Sequence, residues 1–293
     1  MSAKILTIDI ETYRTRNPQV IEAISKEQRL RQPARNAAKE DKMNWHTAAA
    51  QEERISEALA KTSVDPLFAE VLCISFALDD DEPNVFGFGP GPELTAPNEV
   101  EALEPFRYLV DTSCGPNTTW VGHNLKKFDL AVLLNRYRAL RIEPPVLFPS
   151  WTGRYWDGRV FDTMDRTPSS NGLGMVSLDD ACLAYGIVSS KQKVALEDGT
   201  PLLGSTVGLA FERGEYKALA IYAMGDIYST RELYRVQTFG GRRECWASDD
   251  EQLAEILEIR DSAESAMAKS HLILNALVSK GMVSRDLLPR EAA

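Results

Sequence analysis

Along residues 4–11, Leu6, Ile8 and Ile10 fall on one side of the chain and Ile5, Thr7, Asp9 and Glu11 on the other, the period of two expected of a β-strand. Residues 71–80 (VLCISFALDD) form a nearly continuous apolar run, as expected of a strand buried on both faces. Residues 84–89 (NVFGFG) read as a third strand, paired to the second as a hairpin through DDEP. The spacing then changes to that of a helix starting at Asn98 and interrupted at Pro105. It returns to strand over 118–124 (TTWVGHN) and becomes helical again near Phe128, with Leu130, Leu133, Leu134 and Tyr137 on one face. Strands and helices in this order predict an α/β fold with a central mixed sheet.

Two segments stand apart from that pattern. Residues 14–64 interrupt the first two strands with helix-forming, strongly charged sequence. Within 26–42, Lys26, Arg29, Arg31, Arg35, Lys39 and Lys42 outnumber Glu27, Glu40 and Asp41, which suits either a flap over a polyanion or a solvated helical excursion. Residues 241–293 read as a helical extension, with Ser248 as N-cap and Gly281 as stop, that packs on the domain or on a protein partner. The domain proper is therefore expected over 1–240.

Asp9 and Glu11 are an anomaly in a core strand. They are same-face neighbours about 7 Å apart. Two ionised carboxylates in partial burial raise each other's pKa unless a cation lies between them, which points to a divalent metal. Acids at the exposed end of a strand are also commonly just solvated, or cap the following helix. The metal reading therefore needs further acids elsewhere. Asp129 in GHNLKKFDLAVL follows a strand at the first turn of a helix, where it also suits the helix dipole. Tyr222 and Asp226 in IYAMGDIYSTRELY are one helical turn apart on one face, a spacing that an ordinary amphipathic stripe shares.

Two other motifs carry no chemistry. GFGPGP lacks the spacing of a phosphate loop and is broken by Pro90 and Pro92, so it reads as a turn. In SLDDACLAYGI, Ser177 and Asp180 form a capping box.

Composition narrows the setting. The 293 residues are 44% hydrophobic and 26% charged, enough apolar sequence for a substantial core. Cys73, Cys114, Cys182 and Cys245 are scattered with no CxxC pair, which argues against zinc knuckles and a disulfide framework and for a reducing compartment. With no bilayer-length apolar run and no secretory leader, a cytoplasmic protein with no membrane partner is expected. A net charge of −10 disfavours broad electrostatic attraction to nucleic acid but leaves room for a local basic patch.

Taken in order, Asp9-x-Glu11, Asn124-x-x-x-Phe128-Asp129 and Tyr222-x-x-x-Asp226 resemble the three motifs of the DnaQ-like (DEDD) 3′→5′ exonucleases, in the Tyr-containing DEDDy version. The second motif is similar to that of family B DNA polymerase proofreading domains. FDT (161–163), SLDDACLAYGI and EDGT add to the likeness, which spans about residues 4–238 and departs at the long insertion.

The resemblance implies a ribonuclease H-like fold, a central mixed sheet flanked by helices, and two-metal phosphodiester hydrolysis. Asp9, Glu11, Asp129 and Asp226 would hold two Mg²⁺ or Mn²⁺ ions, hard cations suited to carboxylate oxygen, and Tyr222 would orient the attacking water. Thr12, His123, Asn124, Lys126, Lys127 and Phe128 would contact substrate, with Lys191 and Lys193 as further phosphate contacts. His123 also reads as structural, and Asp162 as a structural acid at a strand end. The expected substrate is the 3′ end of DNA, single-stranded or frayed, in proofreading or repair by a separate enzyme. The alternatives are an RNA exonuclease of ribonuclease D type and an inactive nucleic-acid-binding protein on the same fold.

Overall fold

A computed structural model describes residues 4–36, 38–88, 94–149, 159–168, 175–189 and 194–238. The C-terminal extension, Lys191, Lys193 and most of the GFGPGP turn lie outside the described residues.

Five strands form one mixed sheet in the order β3-β2-β1-β4-β5: β1 (Ile5–Tyr13), β2 (Glu70–Leu78), β3 (Asn84–Phe86), β4 (Thr119–Gly122) and β5 (Val160–Asp162). The hairpin read from the sequence is present, with β2 antiparallel to β1 and to β3, while β4 is parallel to β1 and to β5. The β2 run ends two residues earlier than its apolar pattern suggests. There Asp79 takes a positive φ of 52°, and its carboxylate accepts a 2.7 Å hydrogen bond from the Ile5 N–H, turning the chain.

The helices are α1 (Pro18–Leu30), α2 (Lys39–Asn44), α3 (Ala48–Ala60), α4 (Glu99–Ser113), α5 (Asp129–Ala139), α6 (Leu178–Ala184), α7 (Val207–Arg213) and α8 (Tyr216–Gln237), with a 3₁₀ turn at Lys61–Val64. The first three and the 3₁₀ turn fill the interval between β1 and β2 where a helical insertion was expected.

The alternation in β1 separates two cores. Leu6, Ile8 and Ile10 pack with Ile74, Phe76 and Trp120 under Leu103 and Phe106 of α4 and Leu130, Leu133 and Tyr137 of α5. On the other face, Tyr13, Leu72, Cys73 and Val85 pack with Leu219, Tyr222, Ala223 and Met224 of α8 and Val207 and Ala210 of α7.

The expected interruption at Pro105 does not occur, and α4 runs through it to Ser113. A proline inside a helix costs about 3 kcal/mol. Burial of Leu103, Phe106 and Val110 around it, each worth roughly 1.5–3 kcal/mol, outweighs that cost.

Ser177 caps α6 as expected, its hydroxyl oxygen accepting from the Asp180 N–H at 3.0 Å. Asp180 reciprocates by accepting from the Ser177 hydroxyl at 2.8 Å instead of from the backbone N–H of a capping box.

Candidate metal centre

Asp9 and Glu11 lie on the α8 side of β1, and α8 presents Asp226 to them. One carboxylate oxygen from each of the three falls within 4.8 Å of the others, so the cluster could hold a metal ion. Glu11 and Asp226 are buried and Asp9 is half-buried.

Cys73 pairs with Glu11 in the β1–β2 register. Its thiol is held well above its ordinary pKa by burial first and then by the charges of Glu11 and Asp9. The register slips between Glu11 and Thr12, leaving Leu72 unpaired opposite them. Such a bulge increases local twist and re-aims side chains where the strand meets the site. An oxygen-only set of three acids at this spacing suits a hard divalent cation, whose charge would offset their repulsion.

Asp129 reaches β1 from a different direction. Strand pairing of β1 with β4 runs only from Ile5–Thr119 to Thr7–Val121, so β1 continues past β4 with that edge open. Asp129, first residue of α5, lies where the backbone N–H of Ile10, the residue between Asp9 and Glu11, helps to lower its pKa. It is fully buried, and its pKa is pushed up to about 7, by desolvation first and then by the charge of Asp162, with the Ile10 and Asp129 backbone N–H groups partly opposing. The structure therefore gathers three of the four expected ligands into one cluster and sets the fourth against the intervening backbone. A buried ionised carboxylate is costly, and those N–H groups recover part of the cost.

The loop carrying the second motif is held by Asp162. Its carboxylate, 1% exposed, accepts from the backbone N–H of Asn124 (3.0 Å), Lys126 (2.9 Å) and Met164 (3.0 Å). This is the structural role read for it from the sequence. Asn124 adopts φ 62°, a region asparagine tolerates better than most residues, and its carbonyl accepts from the Lys127 and Phe128 N–H groups. The resulting turn delivers Asp129 to the start of α5. Gly122 permits the approach. A Cβ there would lie 2.9 Å from Leu125 Cβ and 3.1 Å from the Ile8 carbonyl oxygen.

The expected substrate contacts divide. His123 is bound within the protein at both ring nitrogens, with Nδ1 2.9 Å from Thr163 Oγ1 and Nε2 2.7 Å from the Val176 carbonyl oxygen, which favours its structural reading. Phe128 packs against the α4–α5 core. The Thr12 hydroxyl donates to the Ser63 carbonyl at 2.7 Å, tying the end of the insertion to the strand that carries the acids. Lys126 pairs with Asp165 at 3.2 Å, whereas Lys127 lies 3.9 Å from the same carboxylate and is mostly exposed. Tyr222, 2% exposed, lies one turn before Asp226 within the α7–α8 core.

No single residue type in the sequence marked Cys73 as the neighbour of the acids. That pairing is a product of strand register, and its only sequence signal is the apolar run containing Cys73. No protein-family model matches the chain, and no curated protein matches it.

Proposed function

We propose that this chain is a metal-dependent 3′→5′ exonuclease of the DEDDy type, on a ribonuclease H-like fold, that releases nucleoside monophosphates from single-stranded or frayed 3′ ends of DNA. The observation that carries the reading is the convergence of Asp9 and Glu11 from β1 with Asp226 from α8, segments near opposite ends of the described chain. The five-stranded mixed sheet with its antiparallel β2 is compatible with that fold.

Asp9, Glu11 and Asp226 would hold the divalent cations, with Asp129 completing the set from the open edge of β1. Bound Mg²⁺ or Mn²⁺ supplies Lewis-acid polarisation of the scissile phosphate and a lowered pKa for the attacking water. Tyr222 orients that water through its hydroxyl from one turn before Asp226. The Asn124 turn, fixed by Asp162, sets the position of Asp129. Lys127 offers an exposed cation for a backbone phosphate.

The test is digestion of a 5′-labelled single-stranded DNA oligonucleotide in Mg²⁺ or Mn²⁺, beside Asp9→Ala and EDTA controls and a matched RNA. A ladder shortening from the 3′ end of the DNA and absent in both controls is expected. Cleavage of the RNA alone reassigns the substrate. Salt-sensitive binding that survives EDTA, with no nucleotide release from either polymer, identifies a binding protein instead.

A further inference from the structure

Beyond the acids, the chain that leaves β1 is pinned residue by residue. Tyr13 packs on Phe211 of α7, ring centroids 4.7 Å apart, on the same face of the sheet as Asp9 and Glu11. The Thr15 N–H donates to Thr62 Oγ1 at 2.9 Å, the Arg16 N–H to Glu70 Oε1, and the Asn17 N–H to Thr15 Oγ1 at 3.2 Å. Three successive backbone donors are thus satisfied by side chains after the strand has ended, which fixes the path of this segment.

The Arg16 side chain is fixed as well. Nε donates to Glu70 Oε2 at 2.6 Å, and the guanidinium carbon lies 5.6 Å from the centroid of the Phe211 ring. Nη1 and Nη2 make no hydrogen bond among the described residues, and the side chain is 46% exposed, so a ligand can reach it. Two parallel N–H bonds from a guanidinium edge match two oxygens of a phosphate.

Arg16 lines an open cavity of about 630 Å³ with Asn17, Pro18, Gln19 and Glu70. Glu70 is the acid of that lining, but it is 6% exposed, and one oxygen is engaged by the Arg16 backbone and the other by Nε. Arg14 and Glu212, the nearest other charges on β1 and α7, pair with each other at 3.3 Å. Formal charge therefore cancels locally, and attraction for an anion is short-ranged. It comes from the fixed guanidinium edge, aided by the N-terminus of α1, which starts at Pro18 in the same cavity.

We propose that Arg16 is a substrate-binding residue whose outer edge takes a backbone phosphate of a nucleic-acid strand, upstream of the 3′ terminus. The choice of a strand rests on the nuclease reading above; the phosphate chemistry of the guanidinium does not. Arg16 is five residues beyond Glu11, a span of at most about 18 Å. Both lie on the α7–α8 side of the sheet, Arg16 through its contact with Phe211. A strand with its 3′ end at the acids and its body running along this face would bring a phosphate a few nucleotides upstream to Arg16.

The test uses the whole chain in EDTA, so that cleavage does not enter the readout. Binding of oligothymidylates of increasing length, from the dinucleotide upward, is measured for the parent and for Arg16→Lys, which keeps the charge and loses the paired donors. The parent is expected to gain affinity at the length that first reaches Arg16. Arg16→Lys is expected to bind the shortest oligonucleotides as the parent does and the longer ones about tenfold more weakly. In the ¹⁵N-labelled parent, the Arg Nε–H signal that Arg16→Lys removes is expected to move with a long oligothymidylate.

Equal binding by Arg16→Lys at every length overturns the proposal. Equal weakening at every length also does, because it assigns Arg16 to holding the segment and not to a distant phosphate. A signal that moves with inorganic phosphate and not with the oligonucleotide overturns the assignment to a strand, and a signal unmoved by both overturns the site. Because that signal is read in the parent, a variant that fails to fold does not rescue the proposal. A moving signal and a length step in a protein that produces no ladder would refute the nuclease reading and leave the phosphate site intact.

Discussion

At the scale of single residues, the three clustered carboxylates set function against stability. Asp9, Glu11 and Asp226 repel across less than 5 Å, so removing one charge should relieve the metal-free protein. Asp226→Asn is expected to raise stability in EDTA by about 1 kcal/mol, measured by urea denaturation, and to abolish cleavage. Added Mn²⁺ should stabilise the parent and not the variant; equal stabilisation of both would refute metal binding by this cluster.

A second residue gives a pH signature away from the site. Burial alone pushes Glu101 of α4 from its ordinary 4.5 up to about 7. Between those values the folded state keeps a proton that the unfolded state has released, so stability falls as pH rises through that window and stays lowered above it. Glu101→Gln removes this loss. Its melting temperature should match the parent near pH 4 and exceed it at pH 8, in scans across that range.

At the scale of elements, α4 and α5 are fastened to β2 by a charged clamp that faces away from the acids. Arg136 of α5 makes paired hydrogen bonds of 2.8 and 2.6 Å to Glu99 of α4, whose carboxylate also accepts from the Val71 N–H at 2.6 Å. Both side chains are largely buried. Arg136→Met should therefore cost about 3 kcal/mol by stranding a buried carboxylate, and adding Glu99→Gln should restore most of it. Denaturation of the single and double variants measures the coupling.

The existence of these elements was legible in the sequence, because the periods of β1, β2, α4 and α5 are dictated by which side must be dry. Their ends were less so. The stop of β2 is set by the Asp79 turn, and the continuity of α4 through Pro105 by its packing, neither of which a local pattern contains.

At the scale of the molecule, the insertion and the acidic centre have opposite electrostatic characters within a chain of net charge −10. If the basic residues of 26–42 face the substrate, charge reversal at a distance is unnecessary and simple neutralisation should suffice. Replacing Arg29, Arg31 and Arg35 with Gln is expected to weaken oligonucleotide binding and to flatten its salt dependence by up to about 0.7 log units per lost phosphate contact. Binding titrations at several salt concentrations would show it, and an unchanged slope would assign these side chains to solvent. No helix among the described residues is long and apolar enough to cross a membrane.

The sequence by itself determined the facing of β1, since alternation puts Asp9 and Glu11 on one side whatever surrounds the strand. It also determined the helical spacing that brings Tyr222 to within a turn of Asp226. Tertiary structure decided what those faces meet. Only the packing of α8 across the sheet carries Asp226 to the β1 acids, because side-chain pattern specifies which face is buried and not which element covers it. Only the early end of β4 leaves open the edge of β1 that Asp129 approaches near Ile10, because strand length is set by pairing with neighbours. Likewise the seating of Arg54 on the Trp45 ring and two carbonyls is made by the fold of the insertion, a coincidence in space that no spacing along the chain encodes.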